Sequence, residues 1–310
     1  MIATILLSSL LTLVEMNCEN LFDCLHDSLK QDTEFTPEGG RHWTSRRYHH
    51  KLNSIGQAIL SSAEELPDLV ALCEVENDSV IHHLCRVSLL RNAHYDYLIT
   101  HSADPRGLDV ALLYQPAVVR PICYDTLSIA PPPRLSPSRD ILYVQGQLHG
   151  GDTLHVFVVH APSHYSGTLE TAPYRMRVSE VLTTRLQTLL RQSPKARIIV
   201  TGDFNDTADS PSLLRLCEEG RMNCASRNVK GLHGSPAGYR YHGRWQQIDH
   251  VFLSPALAQC LQTIYVNDAP FLTEPDTRYG GLKPRRTYNG FRYQYNGVSD
   301  HLPLVVRLDM

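Results

Sequence analysis

No lysine or arginine occurs before Lys30, no two cysteines are spaced CxxC, and net charge of either sign is nearly absent. The first absence removes the positive segment that opens a secretory signal, although Met1 to Val14 are mostly apolar. That run is also too short to cross a bilayer, so no transmembrane segment is expected. Residues 1–11 read as an apolar N-terminal extension, with a degenerate signal segment as the alternative, and residues 12–310 as one domain. The eight cysteines fall singly, with Cys18 and Cys73 inside apolar runs. They read as free buried thiols of a reducing compartment, which favours the cytoplasm over export. With 29 basic and 32 acidic residues, the net charge of −3 gives no global electrostatic case for nucleic acid. Lysine itself is scarce, five against 24 arginines. Arginine is the better fork for phosphate, though a GC-rich genome produces the same bias. At 42% hydrophobic and 20% charged, the 310 residues exclude disorder, collagen and disulfide mini-protein scaffolds.

Short apolar runs punctuated by turn residues dominate. Strands are expected at Thr12–Cys18, Leu69–Cys73, Tyr95–Thr100, Asp109–Tyr114, Ile141–Gln147, Thr153–His160, Arg197–Thr201, Ile248–Leu253 and Leu304–Leu308. Helical spacing of Tyr48, Leu52, Ile55 and Ile59 predicts a helix over Ser45–Glu65, with Pro67 beyond its end. Further helices are expected at Ser79–Arg91 and Glu170–Arg191. Pro131-Pro132-Pro133 with Pro137 marks an extended connection between paired strands. There is no fixed internal repeat and no βαβ regularity. The fold class is α+β, a sheet-on-sheet core flanked by helices.

Polar residues recur where these strands end. Asn17 and Glu19 follow the first, Glu74 the second, and His160 closes Val156-Phe157-Val158-Val159. Asp203 and Asn205 follow Ile198–Gly202. Asp249 and His250 open Ile248–Leu253, and Ser299-Asp300-His301 precedes Leu302-Pro303-Leu304. One acid at a strand end is ordinarily a cap. Six such places, all carrying Asp, Glu, Asn or His, point to a shared rim that suits a hard cation.

The strings Asn17-Cys18-Glu19-Asn20, Cys73-Glu74-Val75-Glu76, Gly202-Asp203-Phe204-Asn205-Asp206, Ile248-Asp249-His250-Val251 and Ser299-Asp300-His301-Leu302-Pro303 occur in that order. Together they resemble the endonuclease/exonuclease/phosphatase superfamily, which includes deoxyribonuclease I and exonuclease III. The resemblance runs from about Leu13 to the C-terminus. It is closest to a bacterial branch with Asn-x-Glu-Asn-Leu-Phe-Asp, here Asn17 to Asp23, and Asp-x-Arg-Gly-x-Asp-Val-Ala-Leu, here Asp104 to Leu112.

The resemblance implies a four-layer αββα sandwich of two mainly antiparallel sheets, with its site at one end of both. It implies a Mg²⁺ site, with Mn²⁺ as the alternative ion. Glu74 is the implied principal ligand, Asn17 and Glu19 help to hold the ion or its waters, and Asp300 stands on the metal side. Glu19 departs from the Asp common at its place. Asp249 and His301 match the carboxylate–histidine pair, Asp203 the residue that orients or deprotonates water, and Asn205 a donor to phosphate oxygen. His160, in His-Ala-Pro-Ser with Ser163, matches a second histidine that protonates the leaving group. The chemistry fits these types. A phosphodiester repels nucleophiles and its leaving oxygen gains charge, so a divalent ion and a fixed imidazole address both obstacles.

His160 and His164 are four apart, but Pro162 between them excludes a helical zinc pair. His49-His50 and His82-His83 read as solvated helix faces, and Glu76 and Asp206 as turn residues or supports of the stronger candidates beside them. Asp109 is expected to buttress Arg106, a candidate substrate contact. Two stretches without any acid, Arg41–Lys51 and Arg278–Asn296, interleave basic and aromatic residues. Arg286 and Tyr288 lie in the second, directly before Ser299-Asp300-His301, as a polyanion with stackable bases would require. The leading expectation is a metal-dependent nuclease acting on DNA or RNA. Alternatives are a phosphatase or phosphodiesterase for inositol phosphates, phospholipid headgroups or nucleotides, and an inactive binding module.

Overall fold

The computed structural model describes residues 10–164 and 168–310. Of the expected N-terminal extension, residues 1–9 lie outside the described residues, and Leu10 and Leu11 are already paired with Asp309 and Leu308.

One six-stranded sheet contains β1 (Leu10–Leu21), β2 (Leu69–Val75), β3 (Asp96–Ile99), β4 (Asp109–Tyr114), β13 (Leu261–Val266) and β18 (Leu304–Asp309), in the order β13-β18-β1-β2-β4-β3. The other contains β5 (Val119–Leu127), β6 (Ile141–Leu148), β7 (Thr153–His160), β8 (Arg197–Asp203), β9 (Asn223–Cys224) and β12 (Asp249–Leu253), in the order β5-β6-β7-β8-β12-β9. Short ribbons pair β10 (Tyr239–Tyr241) with β11 (Arg244–Gln246), β14 (Thr273–Pro275) with β15 (Leu282–Pro284), and β16 (Tyr288–Asn289) with β17 (Arg292–Tyr293).

The expected sandwich is present. Helices α1 (Ser45–Leu60) and α2 (Asp78–Arg86) join the core of the first sheet, whereas α3 (Thr168–Gln192) and α4 (Pro211–Glu218) cover the second. Strand alternation accounts for the layers. On β7, Val156 and Val158 face the first sheet while Phe157 and Val159 pack with α3 and α4. Ile199 and Val251 repeat the inward choice on β8 and β12, and Ile198, Val200 and Phe252 the outward one. Burying each such side chain contributes roughly 1.5–3 kcal/mol over leaving it in water.

There is no βαβ series, although each sheet holds one such unit. The central pair of each sheet is parallel, β1 with β2 and β7 with β8, and a helix crosses over in each case. Each unit stands alone among antiparallel neighbours, so the sequence shows no alternating series. The proline-rich stretch does join paired neighbours, since β5 runs antiparallel to β6. β5 escaped the strand pattern because most of its side chains are exposed.

Two helices end before their expected limits. Ser61 and Ser62 both donate side-chain hydrogen bonds back to the Ala58 carbonyl, so α1 stops at Leu60. Beyond α2, Ser88 donates to the Leu84 carbonyl and accepts from the Leu90 amide, starting a separate 3₁₀ turn at Leu89–Asn92. All eight cysteines are free. No helix among the described residues is long and apolar enough to cross a membrane.

Candidate active site

The side-chain alternation that fills the space between the sheets also builds the site. Two positions beyond Val158 comes His160, two beyond Thr201 comes Asp203, and two before Val251 comes Asp249. On β1 the same face carries Leu13, Glu15 and Asn17. Each polar side chain is therefore the last step of an inward-facing row, where the core meets solvent. β8 and β12 set Asp203 directly opposite Asp249. Gly202 is required there: its φ is +137°, and a Cβ would lie 1.9 Å from the Val159 carbonyl oxygen.

Asp203, Asp249 and His301 are buried, with ligand-type atoms within 4.8 Å of one another. His301 Nδ1 lies 2.9 and 2.8 Å from the two Asp249 carboxylate oxygens. Its Nε2 is 3.9 Å from Asp203 Oδ2. That same Asp203 oxygen accepts from Asn17 Nδ2 at 3.0 Å, and Oδ1 accepts from the Asn205 amide at 2.8 Å. Asn205 in turn donates through Nδ2 to the Ala161 carbonyl. Glu74 Oε2 accepts from the Asn20 amide at 2.9 Å, and its Oε1 lies 3.7 Å from His160 Nε2. His160 Nε2 is also 3.7 Å from Asp203 Oδ2, and its buried Nδ1 has no hydrogen-bond partner among the described residues.

Glu19 sits slightly to the side. Its oxygens accept from Arg286 Nε at 3.3 Å and the Thr287 amide at 2.5 Å, and Arg286 Nη2 reaches Asp300 at 2.8 Å. Tyr288 is buried and donates its hydroxyl to the Arg41 carbonyl. Ser163 is half-buried in the loop after β7. Arg106 is half-exposed and leans on Asp104 at 3.7 Å. Asp109 does not buttress it; its carboxylate instead accepts from Thr100 Oγ1 and the Ser102 amide, fastening the turn. His250 points to the outer face of its strand, where Ser226 and the Asp206 carbonyl hold it.

Several participants carry no sequence signature. Lys51 is fully buried on α1 and donates to Thr287 Oγ1 and the Val298 carbonyl. Its place was legible only as the one charge on the apolar face of that helix, between Tyr48 and Leu52. Glu15 is fully buried below the site with neither oxygen hydrogen-bonded among the described residues. Ser299 Oγ donates to the Asn17 carbonyl and accepts from the His301 amide, tying the last loop to β1. Arg139 bridges Asp104 Oδ2 and the Ala161 carbonyl, and Tyr239 stacks on His301 with centroids 4.6 Å apart.

Concentrated negative charge in a dry space sets the proton affinities. Burial pushes Asp203 up to about 7, with Asp249 adding to the rise and His301 opposing it. Burial also raises Glu15 well above the carboxylate range, with Asp249 and Asp203 adding. It raises Glu19 as well, and there Asp300 adds. His301 behaves in reverse: burial opposes its charged form, but Asp249, Asp203 and Asp300 together hold it well above the usual histidine range. His160 is driven well below that range by burial, then by Arg139 and Arg106.

The sign of the pH dependence follows. Asp203 titrates at about 7 and Glu76, raised by burial, at about 8. In an unfolded chain both fall near 4. The folded state therefore binds more protons, and the stability these groups contribute is lost as pH rises through 7 and 8. His250, lowered by burial to about 4, acts oppositely but only up to the ordinary histidine range near 6.5. The thermal midpoint of the metal-free protein is expected to fall from about pH 6.5 to about 8.5. A scan showing a rise across that window would contradict the assignment.

The sequence matches the profile described as Endonuclease/Exonuclease/phosphatase family over residues 12–310. The chain belongs to that family. Its members hydrolyse phosphoester bonds, so this chain is a family phosphoesterase by descent. Among solved structures, an endonuclease/exonuclease/phosphatase family protein from Bacteroides thetaiotaomicron superposes with TM-score 0.64 at 16% identity, covering 97% of this chain and 98% of that one. The mannosyl-6-phosphatase Bt3783 of the same organism gives 0.63 at 16% identity, covering 97% and 100%. The catalytic domain of human Nocturnin, with bound sulfate, gives 0.55 at 16% identity over 96% and 93%. These likenesses establish the shared fold. No curated protein matches the sequence.

Proposed function

We propose that the chain is a Mg²⁺-type metal-dependent phosphodiesterase whose substrate is a nucleic acid. The observation that carries the chemistry is the buried Asp249–His301 pair within reach of Asp203. The donor set fits a hard divalent ion: Glu74 presents an oxygen with no hydrogen-bond donor among the described residues, and the raised carboxyls around it are relieved by added positive charge. Glu74 and Asn17 would hold the ion, with Glu19 and Asp300 beside them, and it would neutralise phosphate charge and stabilise the leaving oxygen.

The protein's own residues do the rest. Asp203, with an affinity near neutral pH and an orientation fixed by Asn17 and the Asn205 amide, accepts the proton of the attacking water. Asp249 holds the His301 ring by Nδ1, leaving Nε2 to face the phosphoryl group as a charged donor. Asn205 offers its amide edge to an equatorial oxygen. His160 is kept neutral by burial and by Arg139 and Arg106, so it serves the leaving oxygen as a hydrogen-bond donor.

Nucleic acid is favoured over a compact phosphoester because the two acid-free stretches meet at one rim. Arg41 Nη1 donates to the Gly290 carbonyl at 2.9 Å, across 249 positions. Its guanidinium lies 4.8 Å from the Tyr288 centroid and 5.4 Å from that of Phe291. Phe291 and Tyr295 are exposed, as stacking platforms are. The test is a substrate panel with Mg²⁺ and Mn²⁺: plasmid, short single strands, an inositol phosphate, a lipid phosphodiester and a hexose 6-phosphate. Nucleic acid is expected to be cut, with activity lost in EDTA and reduced at least about 100-fold in Glu74→Ala. Preferential release of phosphate from the hexose or inositol ester would overturn the substrate assignment. Activity indifferent to both EDTA and Glu74→Ala would overturn the metal.

A further inference from the structure

Beside the catalytic cluster lies a cavity of about 230 Å³ lined by Glu19, Asn20, Phe35, Arg41, Arg286 and Tyr288. We propose that it is a binding subsite for a second phosphate of the substrate, one that flanks the scissile bond. The inference rests on the nucleic-acid reading above and adds where the neighbouring backbone phosphate is held.

The two guanidiniums are built for this. The Arg41 group is flanked by the rings of Phe35, Tyr288 and Phe291, with centroids 5.6, 4.8 and 5.4 Å away. Aromatic cover of this kind removes water from a guanidinium and leaves its in-plane N–H groups as the active surface. Nε is spent on Glu34 at 3.0 Å and Nη1 on the Gly290 carbonyl at 2.9 Å; Nη2 bonds to no described residue. Arg286 mirrors the pattern. Nε faces Glu19 and Nη2 holds Asp300, while Nη1 bonds to no described residue. Two arginines, each held by its own anchors and each with one terminal nitrogen bonded to no described residue, thus line one cavity. The single carboxylate in the wall, Glu19, is itself paired with Arg286 and accepts from the Thr287 amide, which offsets its charge.

An oxyanion is the ligand that paired guanidiniums recognise. The cavity shares Glu19 and Arg286 with the site, and Arg286 reaches Asp300, the neighbour of His301. A phosphate bound there would belong to the same substrate molecule, next to the group being hydrolysed. The enzyme would then distinguish a diester with a neighbouring phosphate from an isolated one.

The experiment compares kcat/KM for dithymidine monophosphate with its 5′-phosphorylated and 3′-phosphorylated forms. In the wild type one of the phosphorylated forms is expected to exceed the parent by on the order of tenfold. In Arg41→Met that ratio should fall to about one, and Arg41→Lys should restore part of it. Equal rates for all three in the wild type would overturn the subsite, as would a preference undiminished in Arg41→Met. The ratio is read within each variant, so partial loss of folded enzyme does not imitate the effect. If none of the three is hydrolysed, the functional reading fails instead, and inorganic phosphate then judges the subsite alone. A thermal midpoint raised by phosphate in the wild type but not in Arg41→Met supports it; no rise in the wild type refutes it.

Discussion

Asp249→Asn is expected to lower phosphodiester hydrolysis about 10³- to 10⁴-fold with the fold intact. Asp249 has no solvent exposure, and both its oxygens approach His301 Nδ1. Asparagine keeps the shape but can turn an NH₂ toward that nitrogen. The ring then adopts the other tautomer or swings away, and the charge that sustains its imidazolium is gone. Stability should move little or rise, because Glu15 and Asp203 each lose a like-charged neighbour in a dry space. Initial rates on bis(p-nitrophenyl) phosphate, read beside thermal unfolding, separate the two effects. A loss below about tenfold in a fully folded variant would remove Asp249 from its role.

Lys51→Met should destabilise the protein by about 3–5 kcal/mol, the range for removing one partner from a buried charged network. The ammonium joins α1 to the segment before Asp300 through Thr287 and Val298, and it stands among Glu19, Asp300 and Glu74. Without it the Val298 carbonyl loses a donor and Glu19 loses a countercharge. Urea unfolding at constant slope measures the loss, and Thr287→Val should cost only about 1 kcal/mol. A Lys51→Met loss under about 1 kcal/mol would mean that desolvation of the ammonium cancels its bonds.

The layers of the fold were legible because its central strands are apolar and alternate. Asp109–Tyr114 and Thr153–His160 match their expected bounds. What the pattern left out was the largely exposed edge strands β5 and β13, the two-residue β9, and the ribbons, whose two or three residues are too short for any period. Candidate residues at the strand ends were readable from type and position. The structure brings Asn17, Glu74, His160, Asp203, Asn205, Asp249 and His301 together. Glu19, Asp300 and Arg286 gather a step away, and Tyr288 anchors the adjoining basic rim. The bonding roles of Lys51 and Arg139 were not readable, because the acid and carbonyls facing them come from distant parts of the chain.

The backbone at this rim turns left-handed at Glu19, Asn20, Glu74 and Asn205, with φ of 50°, 59°, 59° and 51°. Asparagine tolerates that region, whereas a glutamate held there carries on the order of 1 kcal/mol of local strain. Selection for folding alone would install glycine at 19 and 74, gaining robustness and erasing two carboxylates. At those two positions an unstrained backbone and a rim carboxylate therefore exclude each other.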